Sequence, residues 1–186
     1  VGYTNTGKST LFNRLTRAGV FAENLLFATL DTTMRRLTLP SGREVILSDT
    51  VGFISDLPHE LVMAFRATLE EVLEADVVVQ VLDAANPGCK QQRRDVLTVL
   101  AGLGLDKIEH QPNYLEVYNK IDLAPSFAAP SANAVKASAL TGEGCKELLR
   151  KLDDVLAAGS AVIDVNIPSS DGKTISWLHR NGEVLS

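Results

Sequence analysis

Cysteine is scarce in this 186-residue chain: Cys89 and Cys145 stand far apart, with no histidine at ligand spacing, so neither a disulfide framework nor a zinc site is supported. No apolar stretch approaches the roughly 20 residues that cross a bilayer, and a basic-then-apolar leader is not present, so stable membrane insertion is not expected. A reducing cytoplasm is the expected setting. Positive charge is not in excess either: the net charge of -5 removes any global drive toward nucleic acid. Arg35, Arg36 and Arg43 form a local basic cluster, read first as a solvated face and second as a partner contact. The three histidines, His59, His110 and His179, show no nucleophile or metal pattern, and the single tryptophan, Trp177, is expected to pack the chain's tail. What is present, 45% hydrophobic and 22% charged residues, suffices for one core and one main domain.

Strand and helix signals alternate along the chain. Leu11, Phe12 and Leu15 recur at helical spacing between Ser9 and Arg17, with Gly19 as a stop, so a helix is expected there. Residues 20–35 show no period and read as a mobile loop; 37–39 and 44–47, joined by Pro40, Ser41 and Gly42, read as a hairpin. Leu61, Val62, Phe65, Leu69, Val72 and Leu73 mark an amphipathic helix. The apolar run 77–82 reads as a strand covered on both faces, 96–103 as a helix, 114–118 as a strand, 134–137 as a last short strand, and Leu148 to Leu156 as the closing helix. That alternation predicts an α/β fold, a doubly wound and mostly parallel sheet, over residues 1–157. Residues 158–186 read as a linker and a partial C-terminal segment, with a strand at 162–167 and an amphipathic piece at 175–178.

Four short motifs carry chemistry. Gly2, Gly7, Lys8 and Ser9 fit the phosphate-loop pattern, and the loop spans Gly2, Tyr3, Thr4, Asn5, Thr6, Gly7, Lys8, Ser9 and Thr10. Its glycines let backbone N–H groups approach phosphates, the helix N-terminus adds a favourable field, Lys8 supplies a point charge, and Ser9 offers a hydroxyl to Mg2+. A buried strand delivers the chain into every such loop, and only Val1 precedes Gly2, so the first strand is expected to be largely missing and the sequence to be a fragment. Asp49, Thr50, Val51 and Gly52 follow at a predicted strand end, where Asp49 would hold Mg2+ through water and the Gly52 N–H would sense a γ-phosphate. The plain alternative there is an ordinary turn.

Asn119, Lys120 and Asp122 decide the base. A carboxylate at Asp122 can accept from guanine N1–H and the exocyclic amine, whereas adenine would leave it poorly paired. Ser138, Ala139 and Leu140 follow the last strand, and the Ala139 N–H is placed to address guanine O6. In this order and at these distances, the set predicts a guanine-nucleotide site that binds GTP or GDP with Mg2+.

The run Gly-Tyr-Thr-Asn-Thr-Gly-Lys-Ser-Thr-Leu-Phe-Asn (2–13), the run Glu-Asn-Leu-Leu-Phe-Ala-Thr-Leu-Asp-Thr-Thr (23–33) and the run Asp-Thr-Val-Gly-Phe-Ile-Ser-Asp-Leu-Pro-His-Glu-Leu (49–61) closely resemble the HflX family of P-loop GTPases, over residues 1 to about 157. The resemblance implies a Ras-like G domain from a GTPase that is related to translation factors. Such a protein binds the large (50S) ribosomal subunit through a separate N-terminal domain, can split stalled ribosomes and is activated by them. It further assigns the first switch to Phe27, Ala28, Thr29, Leu30 and Asp31, with Thr29 as the Mg2+ ligand; spacing alone does not choose among Thr29, Thr32 and Thr33. Thr6 departs from the small alanine usual in the family, which leaves the backbone cradle unaltered.

Phe53 stands where Ras-like enzymes carry a water-orienting glutamine, so a catalytic side chain is not identified and slow intrinsic turnover is expected. Asn5 resembles the asparagine of GTPases that bind K+ beside the phosphates; its other reading is tolerance of an unusual backbone angle. Two different outputs stay open beside a ribosome-activated GTPase: a GTP-dependent switch that only binds, and a GTPase of the same superfamily serving ribosome assembly or tRNA modification. A monomer is the expected state.

Overall fold

The structure, a computed structural model, describes residues 1–16, 33–50, 52, 71–131, 134–158, 165–168 and 170–181. Helix α1 spans Lys8–Thr16 and buries Leu11 and Phe12, the pair its apolar spacing predicts. Strands β1 (Thr33–Thr38) and β2 (Glu44–Asp49) form an antiparallel hairpin in the register Thr33↔Asp49 to Thr38↔Glu44. Its inner residues, Leu37, Leu39, Val45 and Leu47, join the core. At its tip, Asp153 accepts from both the Ser41 N–H and the Ser41 hydroxyl, each at 2.7 Å.

Strands β3 (Val78–Asp83), β4 (Tyr114–Asn119) and β5 (Ala134–Lys136) form a parallel sheet in that order. Val1 and Gly2 extend it beside β3: the Val81 N–H donates to the Val1 carbonyl at 2.8 Å, and Gly2 bridges Val81 in parallel. A cleft of about 150 Å³ lies between β3 and the hairpin, lined by Ile46, Leu47, Val77 and Val79 among others.

Both faces of the sheet are covered, as a parallel sheet requires. Helix α3 (Cys145–Ala158) lays Leu148 and Leu152 on Val81, Val117 and Val135, while helix α2 (Cys89–Gly102) lays Val96 and Leu100 on Val78 and Tyr114. Such burial contributes on the order of 2 kcal/mol per large aliphatic side chain. All six β4 residues are buried, Glu116 and Asn119 among them, and β3 adds a buried Gln80. Gln80, inside the run that reads as continuously apolar, is fully buried and bonds to Tyr114 OH. Glu116 takes Arg93 Nε at 2.5 Å and Tyr118 OH at 3.0 Å. Burial and the Glu116 charge push both phenols above the ordinary tyrosine range.

Several boundaries differ from the sequence reading. Residues 33–35, read as loop, belong to β1, because Thr33, Met34 and Arg35 find backbone partners in Asp49, Ser48 and Leu47. Helix α2 begins at Cys89 rather than 96, and α3 runs to Ala158, one residue into the expected linker. The strand expected at 162–167 is not present over 165–168, where no strand partner is described; residues 162–164 lie outside the described residues. The amphipathic piece at 175–178 sits in helix α4 (Gly172–Asn181), where Trp177 is 60% exposed and so covers less than its packing role implies. Of the helix expected from Leu61, only 71–73 is described. Cys89 and Cys145 are buried free thiols.

Candidate functional site

The phosphate loop turns between Gly2 and α1. Gly7 adopts φ +88°, and a Cβ there would sit 2.4 Å from Asn119 Nδ2, so the loop has room for glycine only. Asn5 also lies at positive φ, 59°, a conformation asparagine tolerates better than most residues. The Tyr3 carbonyl accepts from Lys8 Nζ and from the Thr6 hydroxyl, both at 2.9 Å, which ties the loop across itself. Burial brings Lys8 down from the ordinary lysine range to about 8, against an opposing pull from Asp49. Thr4 and Lys8 both approach Gly52: a Cβ on that glycine would lie 2.8 Å from Lys8 Nζ and 2.9 Å from Thr4 Cα.

Ser9 Oγ donates to Asp49 Oδ2 at 2.6 Å, joining the first turn of α1 to the end of β2. A hydroxyl and a carboxylate side by side are the oxygen donors that Mg2+ prefers, so this pair fits the ion. Thr50 is buried next to it, and its hydroxyl has no partner among the described residues. Thr33 begins β1 opposite Asp49. The first-switch residues Phe27 to Asp31, including Thr29, together with Thr32, Val51, Phe53 and His59, lie outside the described residues.

The base-reading motifs converge on the same loop. Asn119, 1% exposed at the end of β4, donates from Nδ2 to the Thr6 carbonyl and accepts at Oδ1 from the Ala139 N–H, both at 2.9 Å. That amide, assigned to guanine O6, therefore has an internal acceptor in this structure. Lys120 Nζ donates to the Asn5 carbonyl at 2.6 Å and pairs with Asp83 at 2.7 Å. Asp122 occupies an exposed 3-10 turn, Ile121–Leu123. Ser138 and Ala139 are buried, whereas Leu140 is exposed.

Two residues of this constellation escape sequence reading. Asp83 closes the apolar run of β3 at the ligand-side strand end, a position that could have singled it out. Arg14, in the last turn of α1, donates to the Ala139 carbonyl at 2.9 Å and to the Leu140 carbonyl, and no motif announces it.

A phosphate loop entering α1, an acidic strand end against its serine, and an Asn-Lys-x-Asp turn locked to that loop define the P-loop GTPase class. The chain matches the family described as 50S ribosome-binding GTPase over residues 1–120, and it belongs to that family as an HflX-type G domain. It is 46% identical to GTPase HflX of Magnetococcus marinus over all of this chain and 43% of that protein. Against GTPase HflX of Escherichia coli the identity is 39%, over 99% of this chain and 46% of the relative. It thus spans less than half the length of either relative. The GDP complex of a GTP-binding protein from Sulfolobus solfataricus superposes with a TM-score of 0.63 at 25% identity, covering 86% of this chain and 51% of that one.

Proposed function

We propose that this domain binds and hydrolyses GTP with Mg2+, within a cytoplasmic, monomeric protein that associates with the large ribosomal subunit and acts in ribosome splitting, rescue or biogenesis. The observation that supports the nucleotide part is a pair of hydrogen bonds at Asn119, one donated to the Thr6 carbonyl in the phosphate loop and one accepted from the Ala139 N–H in the loop after β5. That pair supports a reading in which phosphate-binding and base-reading groups act together, with Asp122 meeting the guanine edge. The ribosomal part draws on the description of the matched family and on the likeness to HflX proteins.

In this reading the phosphate loop supplies backbone N–H groups and Lys8 supplies charge to the β and γ phosphates. Ser9, Asp49 through water, and Thr29 would hold Mg2+, whose chemistry is to offset charge on the β and γ oxygens. The Gly52 N–H, against Lys8, senses the γ-phosphate. Phenylalanine at 53 cannot hydrogen-bond to water, so a partner, the switch backbone or a cation orients the nucleophile and free turnover is slow. Asn5 needs no ion to account for it, since its φ of 59° already favours asparagine; faster hydrolysis in K+ than in Na+ would argue for K+ beside the phosphates.

The test is GTP turnover by the full-length protein with and without large ribosomal subunits, in K+ buffer. Strong stimulation is expected. Turnover unchanged by subunits would sink the ribosomal part, and GTP retained intact for hours in both conditions would favour the pure switch that Phe53 keeps open.

A further inference from the structure

We propose that Arg14 is a positioning residue for guanine recognition, holding from α1 the loop whose Ala139 N–H addresses the 6-oxo group of the base. The inference rests on the guanine-nucleotide reading above and deepens it.

The loop between β5 and α3 is braced from three sides. Asn119 Oδ1 accepts from the Ala139 N–H at 2.9 Å. Ser138 closes the loop on itself: its carbonyl accepts from the Gly142 N–H at 2.8 Å, and its hydroxyl from the Thr141 N–H at 3.1 Å. Arg14 spans the carbonyls on both sides of Leu140, Nε to Ala139 and Nη2 to Leu140. The guanidinium fork presets the direction of its two bonds to successive peptide carbonyls, an orientation that lysine's rotatable ammonium does not preset. Leu140 itself is 70% exposed and adds no anchoring burial.

These contacts close a ring. The phosphate loop runs into α1, α1 carries Arg14, Arg14 holds 139–140, Ala139 bonds to Asn119, and Asn119 bonds back to Thr6 in the phosphate loop. Removing Arg14 opens that ring at the one link outside the recognisable motifs. The side chain is exposed, so the change costs local order rather than core packing. The Ala139 N–H, which donates to Asn119 Oδ1 here, is in this proposal shared as a three-centre bond with the 6-oxo group of a bound base, so the effect of losing Arg14 should appear at that atom.

The experiment measures dissociation constants of GDP and 6-thio-GDP for the intact protein, Arg14→Ala and Arg14→Lys. Sulfur at position 6 chiefly weakens the acceptor facing Ala139, and N1–H and the 2-amino group remain for Asp122. Wild type is expected to prefer GDP. Arg14→Ala is expected to bind GDP roughly three- to tenfold more weakly, the range for losing exposed charge-assisted bonds, and to lose most of its preference over 6-thio-GDP, with Arg14→Lys between the two. Equal weakening of both ligands in Arg14→Ala would make Arg14 a merely structural contact and overturn the proposal, as would no weakening. Absence of any preference in wild type would remove the assignment of Ala139 to O6, and the proposal with it.

Discussion

The Ser9 hydroxyl and the Asp49 carboxylate meet at 2.6 Å, although 40 positions separate them in the chain. They join the phosphate loop to the strand-end acid, the two motifs that hold Mg2+ in a P-loop site. Asp49→Asn keeps the hydrogen-bonding shape and removes the charge. The magnesium concentration needed for half-maximal GTP binding is expected to rise roughly 10–100-fold, the usual cost of altering an outer-shell ligand. Equal magnesium dependence in the two proteins would take Asp49 out of the ion's shell.

Lys8 ties nucleotide binding to pH. Burial disfavours the charged form of its amine and pushes it down from the ordinary lysine range to about 8. Phosphates beside it favour that form, so binding raises its pKa and takes up a proton at pH values above about 8. Affinity should then fall as pH rises, by up to about tenfold per unit between the free and bound pKa values. Calorimetry in buffers of different ionisation enthalpy reads the proton directly, and no uptake at pH 8.5 would contradict the coupling.

Asn119→Ala orphans two buried groups, the Thr6 carbonyl and the Ala139 N–H. A loss of about 2–4 kcal/mol is expected in urea unfolding, with GTP affinity falling beyond that of a surface control. A variant as stable as wild type would mean that water replaces the carboxamide.

Glycine substitution should separate close approach from backbone angle. Gly7 and Gly42 both have positive φ, 88° and 92°, but only Gly7 has a neighbour, Asn119 Nδ2, where a Cβ would go. Gly42→Ala should cost about 1–2 kcal/mol. Gly7→Ala should cost more and also impair GTP binding; equal melting temperatures for the two variants would show that the loop yields.

Arg93→Ala leaves the Glu116 carboxylate in the interior with only phenol partners. Because Arg93 is partly exposed, about 2–3 kcal/mol of destabilisation is expected. Adding Glu116→Gln should recover most of it, and failure to recover would point to lost packing by the arginine stem instead.

Local chemistry alone determined the class of this protein. Glycine spacing, a lysine and a serine at a helix start, and an Asn-Lys-x-Asp turn work through backbone angles and donor patterns that lie within a few residues of one another. Apolar periodicity likewise marked α1, the parallel strands and α3, since each buries one repeating set of side chains. What depended on tertiary structure were contacts between residues distant in the chain. The pairing of Thr33 with Asp49 turned expected loop into strand, and only the assembled sheet shows that Gln80 and Glu116 are satisfied inside it. Asp83 acquired its role by facing Lys120, and Arg14 by reaching two carbonyls more than a hundred residues away. A hydrogen bond to a backbone carbonyl leaves no trace in the identity of the accepting residue, so folding in three dimensions alone could reveal that link.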